Sequence, residues 1–306
     1  MPLTHSLIPD SPAAALPTPL DSRSSSYNEE SISTMSELLV PGDQVGQCLS
    51  LNGSPIDFIC AGSSANHLPQ PAKTFEVVKR LGVGTYATVY LVRENVKPAA
   101  NRHVAEPVRR RHYALKCLAK DEIDGVAVDA QMTEVSSSQK TRTVAYLILV
   151  QVTNQNLLPF HPNIVTLYRV LSTPSSLLLL MEYVPGYDLF DFLDKNCDCS
   201  VDFTPIENPD VNVMLSRRRL HLLSSMFSQM CDAIEVCHAY KVFHRDIKPE
   251  NFMVTPCWTT TASGKKKCKI VVKLMDFGLS TTEVVSTTSD VGSRPYMSYG
   301  TSYLTF

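Results

Sequence analysis

The sequence predicts an α+β protein in which a small β-rich lobe precedes a larger helical one, with a cleft between them. Three observations carry that prediction. From Thr74 to Glu94, apolar and polar residues alternate around a glycine turn with the period of two that half-buried strands require, and further strand-like runs follow as far as Val184. From Leu220 onward apolar residues recur every three or four positions, the spacing of one helix face. The strands come first and the helices second, which segregates the two kinds of element instead of interleaving them.

The elements follow in order. Residues 1–72 hold 13 Ser and 9 Pro with Arg23 as their sole basic residue. Such a segment buries too little apolar surface to offset its ordering entropy, so it is expected to be largely disordered, with a strand-like piece near "VGQCLSLNG". "TFEVVKRLGVGTYATVYLVRE" reads as two strands around a glycine turn, and "RHYALKCLA" as a third. "NIVTLYRVL" and "SLLLLMEYV" are two more, separated by Pro174 and serines. Leu223, Phe227, Met230, Ile234 and Cys237 then mark one face of a helix, expected to lie against the core. A hairpin turning near Gly264 joins "HRDIKPEN" to "VKLMDFG".

Composition excludes several classes. A formal charge of −2 argues against a nucleic-acid binder, which carries a basic excess. The nine cysteines are irregularly spaced, with Cys197 and Cys199 the only close pair, so they read as free thiols of a reducing compartment. "MPLTHSLIPDSP" has no basic stretch ahead of an apolar core, and the longest apolar run, "VAYLILV", is far short of the roughly 20 residues that span a bilayer. An intracellular protein of the cytoplasm or nucleus, with no membrane partner, is expected.

The chemistry concentrates in four places. "GVGTYATV" puts Gly82 and Gly84 in a strand turn, where backbone amides can approach phosphate oxygens unobstructed. A strand follows it instead of a helix, so the dinucleotide-fold reading fails. Lys116 sits inside the apolar strand "YALK", an awkward place for a cation without an anionic partner. "HRDIKPEN" supplies Asp246 as a proton acceptor, Lys248 as a cation for the transferred group and Asn251 as an oxygen ligand. "MDFG" supplies Asp276, a second hard ligand suited to Mg²⁺.

Together, in this order, these residues resemble the protein kinase family over about residues 74–300. Lys248, two positions after Asp246, resembles the serine/threonine branch. The resemblance implies a bilobal fold, ATP and Mg²⁺ as cofactors, and protein substrates bearing Ser or Thr. It implies that Val89 and Ala114 roof the adenine and Met253 floors it. It further implies that Met181 precedes a hinge in which Glu182 and Val184 offer backbone groups to the adenine edge, and that Asp188 meets the ribose. Asp246 is then the base, Lys116 the phosphate cation, and Asn251 with Asp276 the metal ligands. His244 and Phe277 are expected to pack rather than react.

Two departures from the family pattern bear on competence. The resemblance calls for a helix glutamate about ten residues before "HPN", to pair with Lys116. Glu134 has the right surroundings but lies 27 residues before His161. Removing residues 136–152, which lack helix caps and a stable amphipathic period, restores the spacing; this piece is read as an aberrant insertion from an unremoved intron. At the other end, Gly300 stands where the family carries a glutamate, and the helical lobe is expected to be partial, short by about 90 residues. The helical stripe would then lose partners on one side, at roughly 1.5–3 kcal/mol for each wet apolar side chain. A poorly soluble chain with little transferase activity is the expected consequence, and a nucleotide- or partner-binding protein the alternative function.

Overall fold

The computed structural model describes residues 39–46, 49–51, 54–61, 74–84, 87–95, 110–119, 152–195, 216–260, 264, 266–285 and 291–297. Short strands β1 (Gln44–Gly46), β2 (Ser50–Leu51), β3 (Ser54–Pro55) and β4 (Asp57–Ala61) precede the long β5 (Thr74–Val83), β6 (Ala87–Glu94) and β7 (His112–Ala119). Helix α1 covers 152–157. β8 (Leu167–Ser172) and β9 (Ser176–Glu182) complete the first lobe. The second lobe holds β10 (Tyr187–Asp188), α2 (Leu189–Asp194), α3 (Arg217–Ala239), β11 (Phe252–Thr260) and β12 (Lys266–Leu274).

One antiparallel sheet runs β1-β5-β6-β7-β9-β8-β4. Its strands obey the period of two that the sequence announces. On β7, Tyr113, Leu115 and Cys117 face an outer core with Tyr90, Val92, Leu178 and Leu180. Leu118, Leu177 and Leu179 face the other way, packing with Val152, Leu167 and Val170. Lys116 shares that second face, since it alternates with Leu115 and Cys117.

The segment expected to be largely disordered departs from that expectation at residues 39–61. β1 extends the sheet beside β5, and β4 extends it beside β8 at the opposite edge. Leu39, Val45, Leu51 and Ile56 are buried in the outer core, and the Tyr90 hydroxyl accepts the Leu39 amide at 3.3 Å. Burial of four large apolar side chains, at roughly 1.5–3 kcal/mol each, joins the pairing with β5 and β8 in offsetting the ordering cost that the polar composition suggests. The strand-like piece expected near 45–53 corresponds to β1 and β2; β4 lies beyond it.

β8 begins at Leu167, four residues later than the strand read from "NIVTLYRVL". The residues before it form a connection to the second lobe: Ile164 bridges Leu274, and Val165 N donates to Leu274 O at 2.9 Å. Residues 136–151 and Glu134 lie outside the described residues. Val152, counted in the excess piece by spacing, begins α1 and is buried.

In the second lobe Ser216 caps α3 by accepting Arg219 N. Lys241, at φ 57, turns the chain out of the helix just after its C-cap. The helix buries Met226, Ala233 and Cys237 against Phe252, Val254, Ile270, Val272 and Leu274. The stripe read from the sequence is split: Leu223, Met230 and Ile234 are partly buried against this core, whereas Phe227 is 65% exposed. No helix among the described residues is long and apolar enough to cross a membrane, and the described cysteines are free thiols.

Candidate active site

The chain leaves β9 at Glu182 and crosses to the second lobe through Tyr183–Gly186. Gly186 has φ +137, and a Cβ there would stand 2.0 Å from Val254 O, so only glycine lets this connection lie against β11. β10 then pairs with β11, setting Asp188 opposite Met253. Asp188 Oδ1 accepts Asp191 N at 2.8 Å and so caps α2; desolvation by burial, the largest influence, pushes its carboxyl above the usual value. The residue expected to meet a ribose is therefore also a helix cap.

On the facing lobe, the turn between β5 and β6 is closed by Gly84 N donating to Ala87 O at 2.7 Å. A Cβ on Gly82 would meet no protein atom within 4 Å, so packing within the chain does not demand glycine there. Val89 pairs with Lys116 in the β6–β7 register, and Ala114 pairs with Met181 in the β7–β9 register. These pairings bring Val89, Ala114 and Lys116 to adjoining strands.

The loop 244–251 is held from both sides. Phe243 and Thr281 exchange backbone bonds of 2.8 and 2.9 Å. His244 is buried, with Nε2 3.0 Å from Met275 O and its ring edge-on to Phe277 at 4.9 Å. Burial pushes the His244 pKa down, which keeps the imidazole neutral at ordinary pH. Arg245, at φ 65, donates Nε to Leu279 O at 2.6 Å. Left-handed backbone at Arg245 and at Asp276, φ 58, is costly for non-glycine residues and persists where surrounding bonds hold it.

Asp246 is the most heavily bonded carboxylate of the site. Lys248 Nζ lies 2.9 Å from its Oδ2, and Asn251 Nδ2 donates to the same oxygen at 3.0 Å. Ser293 reaches Oδ1 with its hydroxyl at 2.8 Å and its amide at 3.1 Å. Lys248 Nζ also donates to Ser293 Oγ at 2.8 Å. Burial pushes the Asp246 carboxyl up, but the bonds from Lys248, Ser293 and Asn251 and the charge of Lys248 outweigh it. The net pKa is lowered, so Asp246 is ionised at neutral pH.

Asn251 is tied to the same frame: its Nδ2 also donates to Asp246 O at 2.7 Å, and its carbonyl accepts Met275 N at 2.9 Å. With the nitrogen half of the amide engaged, the oxygen half is the one available to a cation. Lys116 Nζ pairs with Asp276 Oδ1 at 2.7 Å, and Gly278 N donates to that same oxygen at 3.3 Å. Desolvation acts to raise the Asp276 pKa; the charge and hydrogen bond of Lys116, with Gly278 N, prevail and lower it. Asp276 Oδ2 is left as its oxygen for a hard cation. Among the described residues no group of three His, Cys, Asp or Glu side chains forms a metal site. An amide and a carboxylate oxygen with substrate oxygens and water suit Mg²⁺, which seldom takes an all-protein cage.

Lys116, Asp246, Lys248, Asn251 and Asp276 thus belong to two bonded clusters, linked through Asn251 and Met275. Glu134, the expected partner of Lys116, lies outside the described residues; among the described residues Lys116 contacts Asp276. Sequence reasoning does not single out Ser293, since the residue type alone does not mark it from its neighbours. Gly292 is the local signal: at φ +120, a Cβ would lie 2.7 Å from Arg245 O, so glycine allows Ser293 to approach the loop. Glu182, expected to offer backbone groups, also uses its side chain, in an ion pair with Lys273.

Comparison with known proteins agrees with this architecture. The family model described as protein kinase domain matches residues 75–299. A Schizosaccharomyces pombe protein named "Negative regulator of sexual conjugation and meiosis" is 28% identical over 221 residues, covering 72% of this chain and 35% of that protein. The chain therefore matches about a third of that relative's length.

Proposed function

This chain belongs to the protein kinase family, and we propose that it transfers the γ-phosphoryl group of ATP to Ser and Thr hydroxyls of protein substrates. The observation that carries the proposal is the ionised Asp246, held between Lys248, Ser293 and Asn251 beside the Lys116–Asp276 pair. A substrate hydroxyl at Asp246 gives up its proton to the carboxylate as its oxygen bonds to phosphorus. The bond from phosphorus to the β–γ bridging oxygen breaks, and ADP leaves with that electron pair. Lys248 stands next to Asp246 and offers positive charge to the moving group. Lys116 offers the same to phosphate oxygens. Gly82 and Gly84 leave the β5–β6 turn open to a polyphosphate, and Val89, Ala114 and Met253 supply apolar surface for the base. Asn251 and Asp276 would hold Mg²⁺, which supplies neutralisation of phosphate charge when bound. Catalysis on this scheme is positioning and electrostatics, with little covalent work for the protein.

Lys248 following Asp246 by two positions supports the preference for Ser and Thr, and Ser293 braces both groups. A second reading, a kinase relative that binds nucleotide or partners without transfer, is favoured by one observation. Lys116 pairs with Asp276, and α1 carries no acidic residue that could take its place. One experiment separates the readings: incubate the purified chain with γ-labelled ATP, Mg²⁺ and peptide pools bearing Ser, Thr or Tyr. Label in the Ser and Thr pools alone supports transfer; nucleotide binding without label supports the second reading; neither overturns both.

A further inference from the structure

We infer that Lys273 is a positioning residue for the connection between the lobes, holding it through Glu182 and so setting how firmly the base end of a nucleotide is gripped. The nucleotide part of this inference rests on the kinase reading above. Lys273 Nζ lies 2.9 Å from Glu182 Oε1 and 3.0 Å from Oε2, so the ammonium engages both carboxylate oxygens. Its side chain is only 11% exposed and that of Glu182 24%. A buried ammonium is retained only where a partner satisfies it, and truncating either member strands the other charge.

The pair joins two separate sheets. Glu182 is the last residue of β9, in the seven-stranded sheet, and Lys273 belongs to β12, in the three-stranded sheet. Residues 183–186 follow at once. Glu182 is fixed on a further side: Oε2 accepts Thr166 N at 3.3 Å, and its own amide donates to Thr166 O at 2.8 Å. Thr166 in turn follows Val165, whose amide bonds to Leu274 next to Lys273. The carboxylate therefore ties the end of β9, the approach to β8 and the edge of β12 at one point.

Register brings this tie to the site. Lys273 stands directly opposite Met253 in the β11–β12 ladder. Directly opposed residues present their side chains on the same face. Lys273 thus shares a face with the residue proposed to floor the base, while its partner begins the connection proposed to meet the base edge. Apolar residues would fill this place without holding two lobes in one geometry. The charged pair supplies direction as well as contact, and a preorganised connection binds a ligand with less ordering cost.

The test uses the full chain as wild type, Lys273→Met, Glu182→Gln and Lys273→Arg. Amide hydrogen exchange is followed without nucleotide, and the ATP dependence of transfer is measured alongside. Lys273→Met and Glu182→Gln are expected to speed exchange about tenfold at position 182 and at Val165, whose amides bond Thr166 O and Leu274 O, while leaving Leu178–Leu180 unchanged. KM for ATP is expected to rise about tenfold with kcat within about twofold, and Lys273→Arg is expected to restore both. Unchanged exchange at 182 and 165 overturns the inference. So does exchange that rises uniformly through β9 and α3, which would mark a general structural role. If the wild type neither binds nor uses ATP, the kinase reading falls, while exchange at 182 and 165 still decides the tie.

Discussion

Ser293 donates its hydroxyl to Asp246 at 2.8 Å and accepts Lys248 at the same distance, so one small side chain braces the carboxylate and its neighbouring cation together. The contact spans 47 residues of chain and brings the segment after Gly292 down onto the loop 244–251. Its effect is to hold Asp246 Oδ1 in one orientation and to keep Lys248 beside it.

Removing that hydroxyl is expected to cost turnover more than binding. Ser293→Ala keeps the backbone bond to Asp246 and the Lys248–Asp246 pair but removes the hydroxyl that bridges them, and should lower kcat about tenfold with little change in KM for ATP. Ser293→Thr keeps the hydroxyl and should retain most of the rate. Gly292→Ala places a methyl 2.7 Å from Arg245 O in a backbone region hostile to alanine, and should reduce kcat at least as much as Ser293→Ala. Steady-state kinetics with varied ATP checks all three.

Lys116→Met should lower transfer by about 10²–10³-fold, the usual cost of losing one electrostatic contact to a developing charge. It also removes the group that holds the Asp276 pKa down. Mg²⁺-dependent nucleotide affinity should therefore weaken further at acidic pH in the variant than in the wild type, as measured by titration calorimetry at two pH values.

Much of this arrangement was legible in the sequence, for physical reasons. The strands of the first lobe carry their faces in alternation, and Lys116 breaks a run of apolar residues, so its need for a partner could be read directly. Its contact with Asp276 could not, since 160 residues of chain separate the two. The Lys273–Glu182 pair, 91 residues apart, has no local trace at all. β1 and β4 were hard to read because strands of three and five residues gain stability from β5 and β8, not from their own composition. The α3 face is legible except at Phe227: Leu223, Met230, Ile234 and Cys237 pack against the second core. Apolar residues lie on both sides of that helix, and only contact with β12 distinguishes Met226 and Ala233 from Phe227.

Gln229 carries a buried polar network between the lobes' connection and the second core. Its Oε1 accepts Asn163 Nδ2 at 2.8 Å and Val272 N at 3.0 Å, and its Nε2 donates to Ile270 O at 3.1 Å. Gln229→Leu fills similar volume but leaves the Val272 amide and Ile270 carbonyl without this partner. A loss of about 2–6 kcal/mol is expected, at roughly 1–3 kcal/mol for each of the two unsatisfied groups. Denaturant unfolding, with an unchanged slope, checks it.

His244 should make stability fall in mild acid. Its folded pKa is below the ordinary 6.5, so between the two values the unfolded chain binds more protons than the folded one. Stability is then complete above about pH 6.5 and declines as pH falls toward the folded value. His161 is shifted in the same direction by burial, so a single-site variant is needed to isolate the effect. Unfolding of His244→Phe at several pH values should show a shallower acid decline than the wild type.

The segment 39–61 should behave as part of the folded domain, although the family match begins at residue 75. Deleting residues 1–61 uncovers the outer face formed by Tyr90, Val92, Leu115, Leu178 and Leu180. Losing four buried apolar anchors at roughly 1.5–3 kcal/mol each approaches the whole stability of a domain, about 5–15 kcal/mol. The shortened chain is expected to lose cooperative unfolding, as followed by circular dichroism on heating.

On the proposed scheme Asp246 accepts the substrate's proton while other residues hold the nucleotide. Asp246→Asn keeps the shape but removes the basic carboxylate, and the decisive measurement pairs label transfer to a Ser peptide with Mg²⁺–ATP binding in that variant. A loss of at least about a hundredfold in transfer, with nucleotide affinity within a few-fold of wild type, is the predicted result. Transfer at the wild-type rate would contradict it.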